Sequence, residues 1–551
     1  MSGSGDRRWR ARLLTAVLVG IVVGAVGVWA QNESLVGVNY DDGIYALLAQ
    51  SLADGEGYRL ASLPVDVPGV KYPPLYPMSL APFWLLSGTQ EAALDAMKLA
   101  NGVYIGAAAA LFALLLIDLG ILVTPLALAV ALLGFAAASM MLVASGLLSE
   151  PLYLVLLFLV LWLSDRTTET PTPGRLVVIG VLAGLVLLTR TVGVAALGAV
   201  LAATWHRYGR RQALVAGAAA LLVAAPWILY ALLRSGRVPE LLVPGYGSYG
   251  RLYLALIAEA PVAALDVAVS NLGAILQTLG GKLVPEAGAT LESLVGAALI
   301  ALAALGSRRI YRQAPATAAY PWLYLVLVTL WVFPPFRFVF ILFPLLLALG
   351  AVGFLALADR AGQKAKARLG KGVRIAILAV GAAALVHQAY LELGAVRARV
   401  WDGGQLMKSA AAREVVDWVN ENTERDDVVA FEFDPLIALH TGRRAVPNNY
   451  VPVHSWYSRS DPPLDSLARL FAGMGVSYVA VRRYIPAASE PIDRLLGAYP
   501  GSLELEYVTP GGVLIFKTDL EALAGPRRVD DNVGGPQGGE SGNRIVGESG
   551  R

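Results

Sequence analysis

The chain has 551 residues, of which 56% are hydrophobic and 15% are charged, and its mean hydropathy is +0.59. Soluble domains are about 25% charged, so this composition excludes an ordinary soluble protein. The 44 basic and 41 acidic residues nearly cancel, which gives no reason to expect a nucleic-acid partner, and the absence of cysteine excludes disulfides, thiolate nucleophiles and zinc–thiolate sites.

The first apolar run, residues 13–30, follows four arginines within positions 7–12. It is longer than the roughly 7–15-residue core of a signal peptide and lacks an Ala-x-Ala-like cleavage site, so we expect a retained membrane anchor. A membrane span needs about 20 apolar residues. Two of the apolar segments are short and could form one broken pair, which makes ten to twelve spans the expected range. This rule predicts a polytopic transmembrane helix bundle of about eleven spans, at 13–30, 99–117, 121–145, 148–164, 176–189, 191–205, 212–233, 291–306, 318–333, 338–358 and 373–392.

The distribution of arginine and lysine predicts the orientation of these spans. With the N-terminus in the cytoplasm, every basic cluster falls in an inner loop, as the positive-inside rule requires. An odd number of spans then places the C-terminus outside. We therefore expect a multi-pass protein of the inner or plasma membrane whose outer segments are the loop 31–97, the turn at 149–150, the loop 234–290 and everything after 393.

Two of the outer loops contain short apolar segments with helical periodicity. Residues 42–53 are ended by glycines, and residues 75–86 follow a double proline and are too short to span. Residues 251–258 and 262–279 have a similar character. We expect all four segments to form helices in the plane of the membrane interface.

The character of the chain changes near residue 399. A predicted amphipathic helix at 408–422 is followed by strands, a helix at 464–473 and a final strand pair. These elements predict a small extracytoplasmic α/β domain over residues 399–525, after a transmembrane domain over residues 1–398. The tail 526–551 has almost no apolar content, and we expect it to be disordered.

Two adjacent carboxylates, Asp41 and Asp42, lie just beyond the first apolar run and open the predicted helix. Asp41 is a suitable N-cap and Asp42 suits the positive end of the helix dipole, so a structural role is one explanation. The other is that one of the two acids is a catalytic base at the membrane–water boundary.

Lys71 precedes the rigid turn Pro73-Pro74 in the first outer loop, with Tyr76 shortly after it. An interfacial lysine is commonly an anchor whose stem lies in the apolar region. A lysine held beside a rigid turn can instead bind a phosphate as a point charge, and Tyr76 could add a hydroxyl donor.

Three further ionisable residues lie at the outer ends of predicted spans. Glu150 follows Ser149 in the outer turn and opens a helix, where the helix start alone could explain it. Arg190 ends the span 176–189, and Arg337 precedes the span 338–358, both against the positive-inside trend. Structural pairing is one explanation, but ionisable groups at membrane depth usually have a function.

Four motifs in this order resemble the GT-C-type polytopic glycosyltransferases, the superfamily of protein O-mannosyltransferases and of the transferases that add aminoarabinose to lipid A. The motifs are the pair Asp41-Asp42, KYPPLYP at 71–77, Ser149-Glu150-Pro151 and Leu188-Thr189-Arg190. The resemblance covers roughly residues 10–360 and extends to the C-terminal α/β domain. The chain departs from the family at Asp42, where glutamate is commoner, and the tail 526–551 matches no known pattern.

The resemblance implies a sugar donor carried on a polyprenyl phosphate and a lipid, glycan or protein acceptor on the outer membrane face. It implies that Asp41 is the base for the acceptor hydroxyl, that Asp42 positions the acceptor or exchanges roles with it, and that Glu150 is a second acid facing Asp41. The donor phosphate would be bound by Lys71, Tyr76, Arg190 and Arg337. No cofactor is implied with certainty, although a divalent cation could bridge Asp41 and Glu150.

Two other classes of membrane protein are possible from the sequence. A transporter or flippase would have internal repeats and broken helices with charge at the bilayer midplane. An envelope-glycan polymerase or ligase would also use lipid-linked sugars, on a different helical scaffold. The acids at the outer edge favour the glycosyltransferase over both.

Overall fold

The computed structural model describes residues 3–166, 170–259, 261–364, 367–450 and 464–525. The chain forms two compact units. The first comprises residues 1–31, 69–236 and 247–400, and the second comprises 32–68, 237–246 and 401–551. The second unit thus combines the C-terminal segment with two stretches from earlier in the chain, and the expected tail 526–551 lies outside the described residues.

The first unit is a bundle of helices, which confirms the predicted fold class. Seven helical stretches among the described residues are long and apolar enough to cross a membrane, or eight if the pair Thr124–Phe135 and Ala138–Ser145, bent by 54°, is one span. The chain is therefore a multi-pass membrane protein. Its described helices in this unit are Gly3–Trp29, Leu75–Leu86, Gln90–Asp118, Thr124–Phe135, Ala138–Ser145, Glu150–Asp165, Pro173–Thr189, Val194–Tyr208, Arg210–Arg234, Tyr249–Glu259, Pro261–Gly281, Ala289–Ile310, Pro315–Thr329, Phe336–Lys364 and Ala367–Arg397.

The structure departs from the expected eleven spans at the segment 262–279, whereas several helices at expected spans are about as short as their predicted ranges. Three helices at expected spans, Glu150–Asp165, Val194–Tyr208 and Pro315–Thr329, have only 16, 15 and 15 residues. Conversely, the segment expected at the interface forms the 21-residue helix Pro261–Gly281, which is long and apolar enough to span. At 1.5 Å per residue this helix is about 31 Å long, and proline is well suited to its first position.

Glycines let the N-terminal helix and the helix Gln90–Asp118 approach closely. A Cβ atom at Gly106 would lie 2.6 Å from the backbone oxygen of Gly20 and 2.7 Å from the Cα of Gly24. Lipid supplies no hydrophobic drive between apolar helices, so close backbone packing at small residues holds such pairs together.

Buried acids bind the helix ends at the side opposite Glu150. Asp118 accepts from Arg12 at 3.2 Å and from the Trp162 indole at 3.0 Å. Asp165 accepts two backbone N–H groups at the start of the helix Pro315–Thr329, at 2.9 and 2.7 Å. The Asp165 contacts satisfy helix-end donors that lipid could not satisfy.

The second unit contains a five-stranded sheet, whose strands lie in the order Arg444–Val446 (β4), Val428–Ala430 (β3), Val476–Arg482 (β5), Val513–Thr518 (β7) and Leu503–Val508 (β6). The parallel strands β4, β3 and β5 are joined to the antiparallel pair β7 and β6. This confirms the small α/β region near the C-terminus, and adds β4, which the sequence analysis did not include. The strands are β1 Arg59–Leu60, β2 Val67–Pro68, β3 Val428–Ala430, β4 Arg444–Val446, β5 Val476–Arg482, β6 Leu503–Val508 and β7 Val513–Thr518, and the helices are Asp41–Ala53, Val243–Tyr246, Asp402–Asn422, Asp434–Thr441, Leu464–Met474, Pro486–Ala498 and Leu520–Ala524.

Substitution of Gly106 by alanine should destabilise the first unit. The added methyl would meet backbone atoms of Gly20 and Gly24 that cannot rotate away, and overpacking typically costs about 1–3 kcal/mol. Gly394→Ala is the matched control, because nothing lies within 4 Å of a Cβ at that helical glycine. Thermal unfolding in detergent should show a lower transition temperature for Gly106→Ala and an unchanged or higher one for Gly394→Ala; equal transitions would contradict the close helix pair.

Candidate functional site

The acidic pair follows a strained turn in the second unit. Tyr40 has φ 63° and ψ −63°, and the Asp41 N–H donates to the Asn39 carbonyl at 2.7 Å. This is a γ-turn with positive φ, a rare conformation for a residue with a side chain. Such strain costs of order 1–3 kcal/mol and persists where surrounding contacts impose it, often at functional sites.

The contacts that hold this turn come from distant parts of the chain. The Tyr40 and Tyr246 hydroxyls are hydrogen-bonded, and their rings lie 6.2 Å apart. The Tyr246 hydroxyl in turn donates to Asp434. Burial, with the charge of Asp434 added, raises the pKa of Tyr246 well above its ordinary value, so the hydroxyl keeps its proton and stays a donor. A chain of three side chains, of which Tyr246 and Asp434 are buried, therefore fixes the backbone next to Asp41.

Asp42 is a buried acid whose oxygens serve its own turn. It is 2% exposed and accepts from the Asn39 backbone N–H and side-chain amide, both at 3.1 Å, and from the Gly43 N–H at 2.9 Å. Burial raises the pKa of Asp42 to about 6, although these hydrogen bonds oppose the shift. Charged neighbours that act on it are Asp41 and Lys408. Asp41 is more exposed than Asp42, so it is the acid of the pair that another molecule can reach.

Glu150 is the centre of an ionic cluster in the first unit. Its side chain is fully buried, and its two oxygens lie 2.8 Å from Arg190 Nη1 and 2.8 Å from Arg337 Nε. Neither oxygen has a well-aligned hydrogen bond, so the contacts are close ion pairs. With two guanidiniums around one carboxylate, the cluster has a formal charge of +1.

The sequence places these three residues at helix ends. Glu150 lies in the first turn of its helix, where the dipole favours an anion. Arg190 is the C-cap of the helix Pro173–Thr189, donates to the Ser149 hydroxyl at 2.9 Å, and has its guanidinium 5.3 Å from the ring of Phe338. Near the cluster, the hydroxyls of Tyr153 and Tyr320 are 2.9 Å apart. The surroundings of the charges are thus aromatic and largely buried.

The turn before Glu150 is held by Asn101, a residue that the sequence analysis did not single out. Its amide donates to the carbonyls of Gly146 and Leu148 at 2.8 and 2.9 Å. Its carbonyl accepts from the Tyr76 hydroxyl at 3.0 Å, and Tyr76 is fully buried. Tyr76 is therefore placed to orient Asn101; its expected contact with a donor phosphate stays a prediction.

Lys71 lies against the loop that leads to Arg337. Its ammonium is 5.1 Å from the ring centre of Phe333 and 5.6 Å from that of Tyr72. The loop is fixed by Asn271, whose amide donates to the carbonyls of residues 329 and 331 at 3.2 and 2.7 Å. Cation–π contacts of this kind attract the ammonium to the faces of the two rings. The side-chain amide of Asn271, within a largely apolar segment, is the sequence feature that could have indicated this second support.

The structure thus brings Glu150, Arg190 and Arg337 into contact, and packs Lys71 on the loop that precedes Arg337. Asp41 and Asp42 lie in the second unit. Among the described residues, no group of three or more His, Asp or Glu side chains has the arrangement of a metal site. A cation bridging Asp41 and Glu150 stays a prediction.

Comparisons with known proteins give likenesses of structure only. No known protein-family profile and no curated protein sequence matches the chain. The apo crystal structure of ArnT from Cupriavidus metallidurans matches with a TM-score of 0.52 at 14% identity, over 93% of this chain and 98% of that one. The apo oligosaccharyltransferase of Archaeoglobus fulgidus matches with a TM-score of 0.50 at 12% identity, over 94% of this chain and 75% of that one. ArnT bound to undecaprenyl phosphate matches with a TM-score of 0.49 at 12% identity, over 93% and 99%.

ArnT and the oligosaccharyltransferase are both GT-C glycosyltransferases. The likeness extends along nearly the whole chain, and includes the region near the C-terminus as well as the helices. The resemblance that the four motifs indicated is therefore confirmed at the level of the fold: this chain has the fold of the GT-C membrane glycosyltransferases.

Loss of the Glu150 charge should destabilise the cluster. Glu150→Gln leaves two guanidiniums close together without their anion, and breaking a buried pair typically costs about 3–5 kcal/mol. The double variant Glu150→Gln/Arg337→Gln should lose less than the sum of the single losses, because it removes the uncompensated cation as well. Unfolding in detergent measures both effects. Glu91→Gln, which removes the charge of an exposed acid in the first turn of another helix, is the control. If the double variant lost as much stability as the two single variants together, the coupling of Glu150 to Arg337 would be contradicted.

The stability of the second unit should depend on Asp42 between about pH 4 and pH 6. The unfolded chain releases the aspartate proton near pH 3.8, whereas folded Asp42 keeps it up to about pH 6. Stability from this group is therefore full below pH 3.8 and falls as the pH rises to about 6. Thermal unfolding from pH 4 to pH 8 should show this fall in the parent chain and not in Asp42→Asn. Asp54→Asn measures the general effect of removing an acid from the same segment, and identical pH profiles for all three chains would contradict the buried, protonated state.

Proposed function

We propose that the chain is an integral membrane glycosyltransferase that moves a sugar from a polyprenyl-phosphate donor to a lipid, glycan or protein acceptor on the outer face of the membrane. The observation that carries this proposal is the buried cluster of Glu150, Arg190 and Arg337, with its net positive charge. The GT-C fold supports it, because the known proteins that share the fold are glycosyltransferases.

The cluster has the properties that a lipid-borne phosphate requires. A guanidinium pairs with phosphate through two parallel N–H groups, and Arg337 is the more exposed of the two arginines, at 23% against 8% for Arg190. Glu150 pairs with both guanidiniums and orients them. The held ammonium of Lys71 adds a second cation next to the Arg337 loop.

The acceptor requires a base, and Asp41 is the better candidate of the pair. The oxygens of Asp42 accept N–H groups of their own turn, so Asp42 is suited to shaping the turn. Asp41 is more exposed, and its backbone is fixed by the strained γ-turn. A general base of this kind typically contributes 10²–10⁴-fold to the rate.

The proposed step is a single displacement. The acceptor oxygen forms a bond to the anomeric carbon as its proton passes to Asp41, and the bond from that carbon to the phosphate oxygen breaks. The polyprenyl phosphate leaves with the bonding electron pair, and its added negative charge is stabilised by Arg337 and Lys71. Attack opposite the leaving group inverts the anomeric centre.

The test is a transfer assay with the purified chain and a panel of polyprenyl-phosphate sugars. Asp41→Asn should lower turnover by about 10²–10⁴-fold, as expected for loss of a general base. Asp42→Asn should lower turnover less, because the proposed base is still present. Asp54→Asn is the matched control, since it removes an exposed acid from the same unit, and should retain the parent rate.

Full turnover in both Asp41→Asn and Asp42→Asn would contradict the role of the acidic pair. Transfer with no dependence on the polyprenyl phosphate would contradict the donor class. Movement of the lipid-linked sugar across liposomes without any covalent product would favour a flippase instead.

A further inference from the structure

A cavity of about 880 Å³ opens at the other end of the first unit. Pockets for small ligands commonly measure about 300–1,000 Å³. Four arginines line it, Arg308, Arg309, Arg312 and Arg360, and no acid is among its lining residues. The proposed transfer reaction uses none of these groups.

The four guanidiniums are not neutralised by the surrounding protein. Within the described ranges, no carboxylate oxygen lies within 4.0 Å of Arg308, Arg309, Arg312 or Arg360. The acid next in sequence, Asp359, is paired with Arg374 at 3.2 Å. The cavity therefore presents a formal charge of +4 with no internal counter-charge in this part of the structure.

The wall of the cavity is aromatic and apolar. The Trp322 indole N–H donates to the Ser307 hydroxyl at 3.0 Å, which fixes the ring. Leu305, Leu323 and Ala356 also line the cavity. Cations beside an apolar wall fit a ligand that has an anionic end and a hydrocarbon end, rather than a freely soluble anion.

The length of one helix relates this cavity to the Glu150 cluster. Arg337 and Arg360 lie near opposite ends of the helix Phe336–Lys364. Their separation by 23 positions along the helix corresponds to about 35 Å, roughly the hydrocarbon thickness of a bilayer. If the cluster faces outward, the cavity is at the cytoplasmic boundary of the membrane.

We propose that the cavity binds the head group of an anionic phospholipid from the cytoplasmic leaflet. The arginines would contact the phosphodiester, and an acyl chain would lie along Leu305, Leu323 and Ala356. Basic pockets between transmembrane helices at this depth suit anionic head groups. This binding does not depend on the sugar-transfer activity.

The test is calorimetric titration of the purified full chain in neutral detergent. The probes are dihexanoyl phosphatidylglycerol, dihexanoyl phosphatidylcholine and inorganic phosphate. Phosphatidylglycerol should bind saturably, and Arg308→Gln/Arg312→Gln should weaken it at least about tenfold. Arg210→Gln/Arg211→Gln, which removes the same charge from exposed positions outside the cavity, should change it less than about twofold.

A second variant changes the shape of the cavity and leaves its charge unchanged. Ala356→Leu narrows the apolar wall and keeps every arginine, so it should also weaken phosphatidylglycerol binding. Unchanged binding in the Arg308/Arg312 variant, or equal weakening in the Arg210/Arg211 variant, would overturn the proposal. Inorganic phosphate that binds as tightly as phosphatidylglycerol would show a free-anion site, and phosphatidylcholine that binds as tightly would show no need for net charge; either result would also overturn it.

Discussion

The burial of one negative charge, on Glu150, organises one end of the first unit. A carboxylate with no exposure to solvent requires nearby positive charge, because the desolvation of an unpaired ion is very costly. Arg190 ends one helix and Arg337 begins another, so meeting that requirement brings three helix ends together. Asn101 holds the turn before Glu150. The carbonyl groups of Gly146 and Leu148 in that turn would otherwise lack hydrogen-bond partners in an apolar environment. The burial of Glu150 therefore accounts both for the site and for the helix packing around it.

The second unit meets a different constraint, which is a strained backbone. The γ-turn at Tyr40 persists because Tyr246 and Asp434 hold its side chain from segments about 200 and 400 residues further along the chain. This explains why the segments 32–68 and 237–246 belong with the C-terminal domain and not with the helices that flank them in sequence. Removal of any one segment would leave buried hydroxyl or carboxylate groups without partners, which is costly in itself.

Apolar runs were sufficient to predict the helical bundle, and four short motifs were sufficient to predict its fold. The candidate residues Glu150, Arg190 and Arg337 were also found, because charge beside a long apolar run is conspicuous. The residues that hold them in place were not found from the sequence. Asn101, Asn271 and Tyr246 are ordinary polar residues whose roles depend on carbonyls and acids distant in sequence. Hydrophobic periodicity indicates which side chains are buried, but it does not specify their partners.

Arginines at the ends of the same span differ in the partners that the structure gives them. Charge statistics treat all arginines alike, as markers of the cytoplasmic side. In the structure Arg337 is bound to a buried acid, whereas Arg360, on the same helix, faces a cavity without an acid. An arginine that pairs with a buried carboxylate has its charge largely compensated inside the protein, so it is compatible with the outer side of the membrane. An arginine without such a partner keeps its full charge, and its position is set by water and lipid phosphate. Whether an arginine is paired with a buried acid therefore matters more than the residue type. Unpaired arginines indicate the orientation of the chain in the membrane, and paired arginines form part of a site.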